Sequence, residues 1–331
     1  MSSSPPAPLL EVEVPAGKPP MLRVDNPGGD AAAWAAGHRD ALRAAVAEHG
    51  ALLVRGLGIG DATQAAGVFR ALAPELMDHK EGFAAREEYG QGIYSSATWP
   101  TNQPMCMHHE LSYTQTVPSL LMFACLKAPA EGGVTGVADA AEVCQALPAA
   151  LVDRFAQQGW LLDRCYNEEI GASVAEAFGT DDRAAVEDYC RAHAIEYTWH
   201  DDGSLRTRQH RQAVISHPVT GGRCWFNQIA FLSEFTLAPE VREYLIDVYG
   251  ADALPFTTRY GNGDPLDQDT IALINSVYDA HTRREPWQDG DLMLVDNLRT
   301  AHSREPYEGD RTVLVAMAHP QPTTSPQGTP R

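Results

Sequence analysis

Two short stretches hold the side chains with the most chemistry in this chain. One is Met107-His108-His109-Glu110; the other is residues 296–311, with Asp296, Asn297, His302 and Arg311. In an extended segment, side chains i and i+2 share a face. His108 and Glu110 can therefore converge on one ion while His109 points away, and a distant histidine, His302, can supply a third donor. Two histidines and a carboxylate on one side of a metal leave the opposite positions open, the donor set of non-heme Fe(II) centres that activate oxygen. Zinc accepts the same three donors plus a water, which would make a hydrolase instead. Arg311 sits at the entry of an apolar stretch, where an unpaired guanidinium is expensive to bury. Its best partner is a carboxylate gripped by both prongs. That carboxylate is either external or a neighbour's, Glu308 or Asp310. His302 likewise reads either as a ligand or as a loop histidine satisfied by hydrogen bonds. A ligand histidine needs an acceptor for its other ring N–H, and Asp296 or Asn297 stands near enough to His302 to serve.

Short strands and helices must position these residues. Ala31–His49 has a helical apolar spacing that ends at Gly50, and residues 51–56 then read as a buried strand. Ala62–Leu72 reads as a second helix. Residues 92–96, 119–126 and 134–138 are strand candidates separated by Pro and Gly clusters. Helical patterns cover residues 140–158, 182–193, Pro239–Tyr249 and 267–281. Residues 214–217 and 224–227 form a strand pair around a Pro-Val-Thr-Gly-Gly turn, and residues 291–296 and 312–318 are apolar strands. The two motifs lie in strand-rich parts on either side of a helical middle, which implies a β-barrel or sandwich core with helices outside. Residues 1–29 read as a flexible start leading to an edge strand or loop, residues 30–319 as one domain with an insertion over about 140–285, and residues 320–331 as a disordered tail.

Composition narrows the class. The 331 residues are 44% hydrophobic, enough for a sizeable core, and carry a net charge of −19. So acidic a chain disfavours phosphate backbones and anionic membrane surfaces. Six cysteines without a C-x-x-C spacing fit reduced thiols in a cytoplasm. Neither a secretory leader nor an apolar run of membrane-spanning length is evident.

Several stretches together resemble the taurine dioxygenase-like (TauD/TfdA) superfamily of Fe(II)/2-oxoglutarate-dependent oxygenases, in particular its amino-acid hydroxylases of natural-product pathways. They are His49-Gly50-Ala51-Leu52-Leu53-Val54-Arg55-Gly56, His108-His109-Glu110-Leu111-Ser112-Tyr113, Ala130-Glu131-Gly132-Gly133-Val134-Thr135, Trp225-Phe226-Asn227-Gln228, Pro286-Trp287-Gln288-Asp289-Gly290-Asp291, and residues 296–311. The resemblance spans roughly residues 35–319. It implies a mainly β fold with flanking helices, a double-stranded β-helix (distorted jelly roll) with a helical insertion between the two ligand motifs. It implies that His108, Glu110 and His302 are the catalytic iron triad, that Arg311 grips the distal carboxylate of 2-oxoglutarate with help from Thr135, and that Asn227 and Gln228 line the pocket. Two departures stand out. Ser303 follows the distal histidine where the family usually has glycine, and Thr312 stands where many members place a second basic residue.

The implied cofactors are Fe(II), 2-oxoglutarate and O2, and the implied reaction is hydroxylation of an unactivated C–H of an amino acid or amino-acid-derived unit, free or on a carrier protein. Desaturation, epoxidation and cyclisation use the same cofactors. The presence of Glu110 argues for oxygen transfer over halogenation, in which related enzymes lack the carboxylate. Thr98 and Asn102, just before the first motif, are candidate substrate contacts together with Asn227 and Gln228. A non-catalytic jelly-roll binding module is the more distant alternative.

Overall fold

The structure is a computed structural model describing residues 10–26, 29–167 and 170–323. Its largest sheet has seven strands in the order Met21–Arg23, Ala51–Arg55, Leu292–Asp296, Thr116–Lys127, Thr312–Pro322, Ile93–Ser95 and Glu88–Gly90. Both faces of its central strands are buried, so these strands read as nearly continuous apolar runs. Alternate residues serve the two faces. Leu120, Met122, Leu294 and Leu314 meet the helices Ala31–His49 and Ala62–Leu72 through Leu42, Val46, Val68 and Phe69. Leu121, Phe123, Met293, Val295, Val315 and Met317 face inward, in one cluster with Met105, Met107, Val137 and Ala301. Those last four belong to a three-stranded sheet, Met105–His108, Thr300–Arg304 and Val137–Asp139, laid over the large one. The arrangement is the expected mainly β core, a distorted jelly roll with helices against one outer face.

Aspartate caps start both flanking helices. Asp30 accepts from the backbone of Ala32 and Ala33, and Asp61 from that of Gln64. Between residues 140 and 285 the chain also builds a four-stranded antiparallel sheet, in the order Ile195–Trp199, Leu205–Arg211, Trp160–Tyr166 and Phe256–Tyr260. This sheet corrects the expectation of a helical segment with one short strand pair. Thr207, Gln209 and Arg211 are buried while Arg208 and His210 are exposed, so a polar inward face hides the apolar alternation that marks a strand.

Three boundaries also move. Pro148 splits the expected helix 140–158 into Ala140–Ala146 and Ala149–Gln158. Met21–Arg23, inside the expected flexible start, pairs in parallel with Ala51–Arg55 because Met21 and Leu22 are buried against it. The last strand runs on to Pro322, and Thr323 bonds to the carbonyls of Thr114 and Gln115, inside the expected disordered tail. The remainder of that tail, residues 324–331, and residues 1–9 of the N-terminal segment lie outside the described residues.

At the start of the strand Leu292–Asp296, Arg55 grips buried Asp291 at 2.8 and 3.1 Å and reaches Glu285 at 2.7 Å. This pairing fixes the strand whose far end leads to Asn297. Replacing Arg55 by Met leaves Asp291 charged and unpaired in the core, at a cost of about 3–5 kcal/mol; urea unfolding should show it, and an unchanged midpoint would remove the pair from this role.

Candidate active site

His108 ends the strand Met105–His108, and His302 lies opposite it in antiparallel register on Thr300–Arg304. Residues directly opposite in such a pair project to the same face, and the two imidazoles meet with ring centroids 4.2 Å apart. The strand stops at His108, and Glu110 falls in the following turn. There its backbone is held by the side chain of Asn297: the Glu110 N–H donates to Oδ1 (2.8 Å), and Nδ2 donates to the Glu110 carbonyl (3.0 Å) and that of Pro118 (2.8 Å). His109 turns away, as expected, and its ring pairs with the carbonyl of Asn297 at 2.6 Å. Asn297 therefore does not serve His302. It brackets the first motif instead, while Asp296 pairs with His217.

The donor atoms of His108, Glu110 and His302 all lie within 4.8 Å of one another, on three buried residues. The His108 ring Nδ1 pairs with the Cys106 carbonyl at 2.8 Å. A carbonyl can only accept, so Nδ1 carries the proton and Nε2 keeps its lone pair. Burial, above all, pushes both histidines below their ordinary pKa, His302 well below, so both are neutral at pH 7. Burial pushes Glu110 the other way, but Arg86, His108 and His79 outweigh it and hold its carboxyl below the usual value. Two neutral imidazoles and an ionised carboxylate fit a divalent cation. His302 turns Nε2 to the Glu110 carboxylate, 3.7 Å from Oε2, while its buried Nδ1 has no hydrogen-bond partner among the described residues.

The triad opens onto a cavity also lined by Arg86, Ser96, Thr135, Ser303, Arg304 and Arg311. Arg311 donates to the Gly133 carbonyl (3.1 Å), Ser96 Oγ (3.2 Å) and Thr135 Oγ1 (3.3 Å), and no carboxylate partner is found among the described residues. Asp310 is taken by Lys127 on the surface. Burial, with a smaller contribution from Arg304, pulls the Arg311 pKa down to about 10, which leaves it charged. The guanidinium lies close over Gly133, whose φ is +66° and where a Cβ would come within 3.1 Å of the Arg311 Cδ. Trp287 Nε1 lies 3.2 Å from Thr135 Oγ1. Arg304 also lines the cavity, with its guanidinium on the carbonyls of Pro100 and Gln103. Phe231 stacks on His108 at 4.7 Å, with Phe83 edge-on to it, so aromatic rings wall the histidines.

The expected substrate contacts fare differently. Thr98 and Asn102 are exposed and stand outside this cavity; Ser96 and Ala97 line it instead. Asn227 and Gln228 are buried, but their amides hold the backbone of Ala213, Ile229 and His109. Arg86, Ser96 and Phe231 went unread because no motif or periodicity marks them.

A family model described as taurine catabolism dioxygenase TauD, TfdA family matches residues 18–317. The dapdiamide synthesis protein DdaC of Enterobacter agglomerans is 33% identical over 275 residues, covering 83% of this chain and 84% of that protein. A clavaminate synthase-like protein of Arabidopsis thaliana is 26% identical over 280 residues, 82% of each chain. Among solved structures, PvcB of Pseudomonas aeruginosa superposes with a TM-score of 0.55 at 16% identity, over 94% of this chain and 89% of that one. A putative alpha-ketoglutarate-dependent taurine dioxygenase of Burkholderia xenovorans gives 0.54 at 16% identity, over 97% and 93%. These structural likenesses show the shared fold.

Two outcomes follow from the geometry. Asn297→Ala strands the Glu110 N–H and two carbonyl contacts, and should lower stability by about 2–4 kcal/mol with a parallel loss of divalent-metal binding; retained metal affinity would show that the bracket does not position Glu110. His109, buried and neutral, has its pKa pushed down from 6.5 to about 4, chiefly by burial. The unfolded chain thus binds the proton first as the pH falls, so stability is full above about 6.5 and declines towards pH 4, by on the order of 3 kcal/mol for this residue. Thermal midpoints against pH should fall over that window, and less steeply in His109→Asn; identical slopes would contradict the assignment.

Proposed function

This chain belongs to the taurine catabolism dioxygenase TauD, TfdA family, and from that premise we propose that it hydroxylates an unactivated C–H of an amino acid or amino-acid-derived unit, free or held on a carrier protein, in a cytoplasmic biosynthetic pathway. The enzyme class is plain: it is a dioxygenase dependent on Fe(II), 2-oxoglutarate and O2. In our reading His108, Glu110 and His302 hold the iron, and Arg311 with Thr135 takes the distal carboxylate of 2-oxoglutarate.

The observation that carries this reading is the pairing of a three-donor site with a buried, charged arginine that has no carboxylate of its own. A 2-oxoglutarate bound beside the metal would give that cation its carboxylate. Bound iron with 2-oxoglutarate supplies an oxidant able to take a hydrogen atom from carbon. The protein's own part is to bind, orient and shield. The two neutral histidines and the ionised Glu110 offer lone pairs, Arg311 and Thr135 fix one end of the co-substrate, and Phe231 and Phe83 keep water from the His108 side. The amino-acid reading leans on DdaC, a dapdiamide synthesis protein.

The test is a screen of amino acids, free and carrier-bound, for substrate-dependent succinate formation, with products read by mass. Gain of one oxygen atom supports hydroxylation, and loss of two hydrogens supports desaturation. No succinate above the substrate-free level with any amino-acid-type compound would overturn the substrate class. Arg311→Ala should weaken 2-oxoglutarate binding by about 2–5 kcal/mol, followed anaerobically by the weak visible band of the Fe(II) complex, while Fe(II) binding alone persists. An unchanged affinity would take Arg311 out of its role.

A further inference from the structure

Arg86 places a fixed positive charge against the carboxylate of the triad. Its Nη2 lies 3.1 and 3.2 Å from the two oxygens of Glu110, with both side chains almost fully buried, at 5% and 2% exposure. Nη1 reaches the Ser95 carbonyl at 3.4 Å, and Nε is buried without a partner.

The segment that carries Arg86 is tied down at both ends. On one side the Thr98 N–H bonds to the Ala85 carbonyl at 2.9 Å, and the Ser95 N–H to that of Glu87 at 2.8 Å. On the other side Glu81, a buried residue with φ +57°, is seated in the four-stranded sheet. Its carboxylate receives Tyr189 OH at 2.8 Å and the Gln209 amide; its carbonyl receives Tyr113 OH and Arg164, each at 2.8 Å. Arg86 is thus delivered to Glu110 by the fold.

A guanidinium this close to a centre for a divalent cation repels the cation, and burial makes the repulsion strong. What it contributes is control of a carboxylate with two oxygens. Oε2 faces His302, at 3.7 Å from Nε2, and so points into the donor cluster. Arg86 Nη2 bridges both oxygens, so it clamps the carboxylate in that orientation. We propose that Arg86 is a positioning residue that clamps the Glu110 carboxylate with Oε2 turned to the donor cluster, and that its charge sets the metal affinity below what the three donors would otherwise give. One oxygen from Glu110 leaves the opposite positions free for co-substrate and O2. The proposal rests on the reading of Glu110 as a ligand.

Metal-free protein titrated with Co(II), without 2-oxoglutarate, tests it. Arg86→Gln should bind Co(II) about ten-fold tighter or more than the unaltered chain, and Arg86→Lys, which keeps the charge, should stay within about three-fold of it. A simple packing role predicts the reverse, a loose site in Arg86→Gln, and equal or weaker binding there overturns the proposal. Should Arg86→Gln fail to fold, the comparison moves to Glu110→Gln against Arg86→Gln/Glu110→Gln, the double variant having neither charge of the pair; the double variant should again bind tighter, and equal affinities overturn the proposal. The two readings fail separately. If the unaltered chain takes up Co(II) but Glu110→Gln does not weaken it, Glu110 is not a ligand. If Glu110→Gln weakens it and removing Arg86 has no tightening effect, only the role of Arg86 falls.

Discussion

One amide side chain joins the two halves of the active site. Asn297 stands 187 residues from Glu110 in the chain and binds both sides of its backbone, while its own carbonyl takes the ring of His109. The strand pairing that sets His302 opposite His108 fixes two donors, but Glu110 lies just beyond the strand, where the ladder no longer dictates its place. Asn297 does so instead. Everything upstream of it serves that placement: Arg55 anchors the start of the strand Leu292–Asp296, the large sheet holds that strand between two others, and Asn297 follows at its end.

The site is a small cationic region in an acidic protein. Arg86, Arg304 and Arg311 all line a cavity whose only lining carboxylate, among the described residues, is Glu110, although the chain carries a net charge of −19. Arg304 rests on carbonyls, Arg311 on a carbonyl and two hydroxyls, and Arg86 on the triad carboxylate. The neutral partners of Arg304 and Arg311 solvate a guanidinium without cancelling its charge, whereas Arg86 and Glu110 offset each other, so the field in the cavity stays positive and suits a dianionic co-substrate. The surrounding acidity acts on solubility and not on this enclosed space, where the local groups dominate.

Much of this was legible in the chain. The H-x-E spacing points to the convergence of His108 and Glu110 with His302, although the strand ends at His108 and a turn, not extended backbone, carries Glu110. The core strands could be read because burial on both faces leaves unbroken apolar runs. Arg311 could be read from its place at the head of an apolar strand. The four-stranded sheet could not, since Thr207, Gln209 and Arg211 put polar atoms on its buried side. Thr98 and Asn102 are near the motif in sequence only, and the loop after the strand Ile93–Ser95 brings Ser96 and Ala97 to the cavity in their place. Arg86 sits in a loop without periodicity, and its position depends on contacts of Glu81 with residues far away in the chain, which no local pattern encodes.

The seat of Glu81 has a consequence for how this protein can be altered. Tyr113, Arg164, Tyr189 and Gln209 all converge on one loop residue, and three of the four come from the segment between residues 140 and 285. That segment is therefore not a detachable ornament on the barrel. A shortened homologue or a designed minimal barrel that dispensed with it would keep all three donors, yet lose the socket that aims the neighbouring charge, and a transplanted version would have to bring its own.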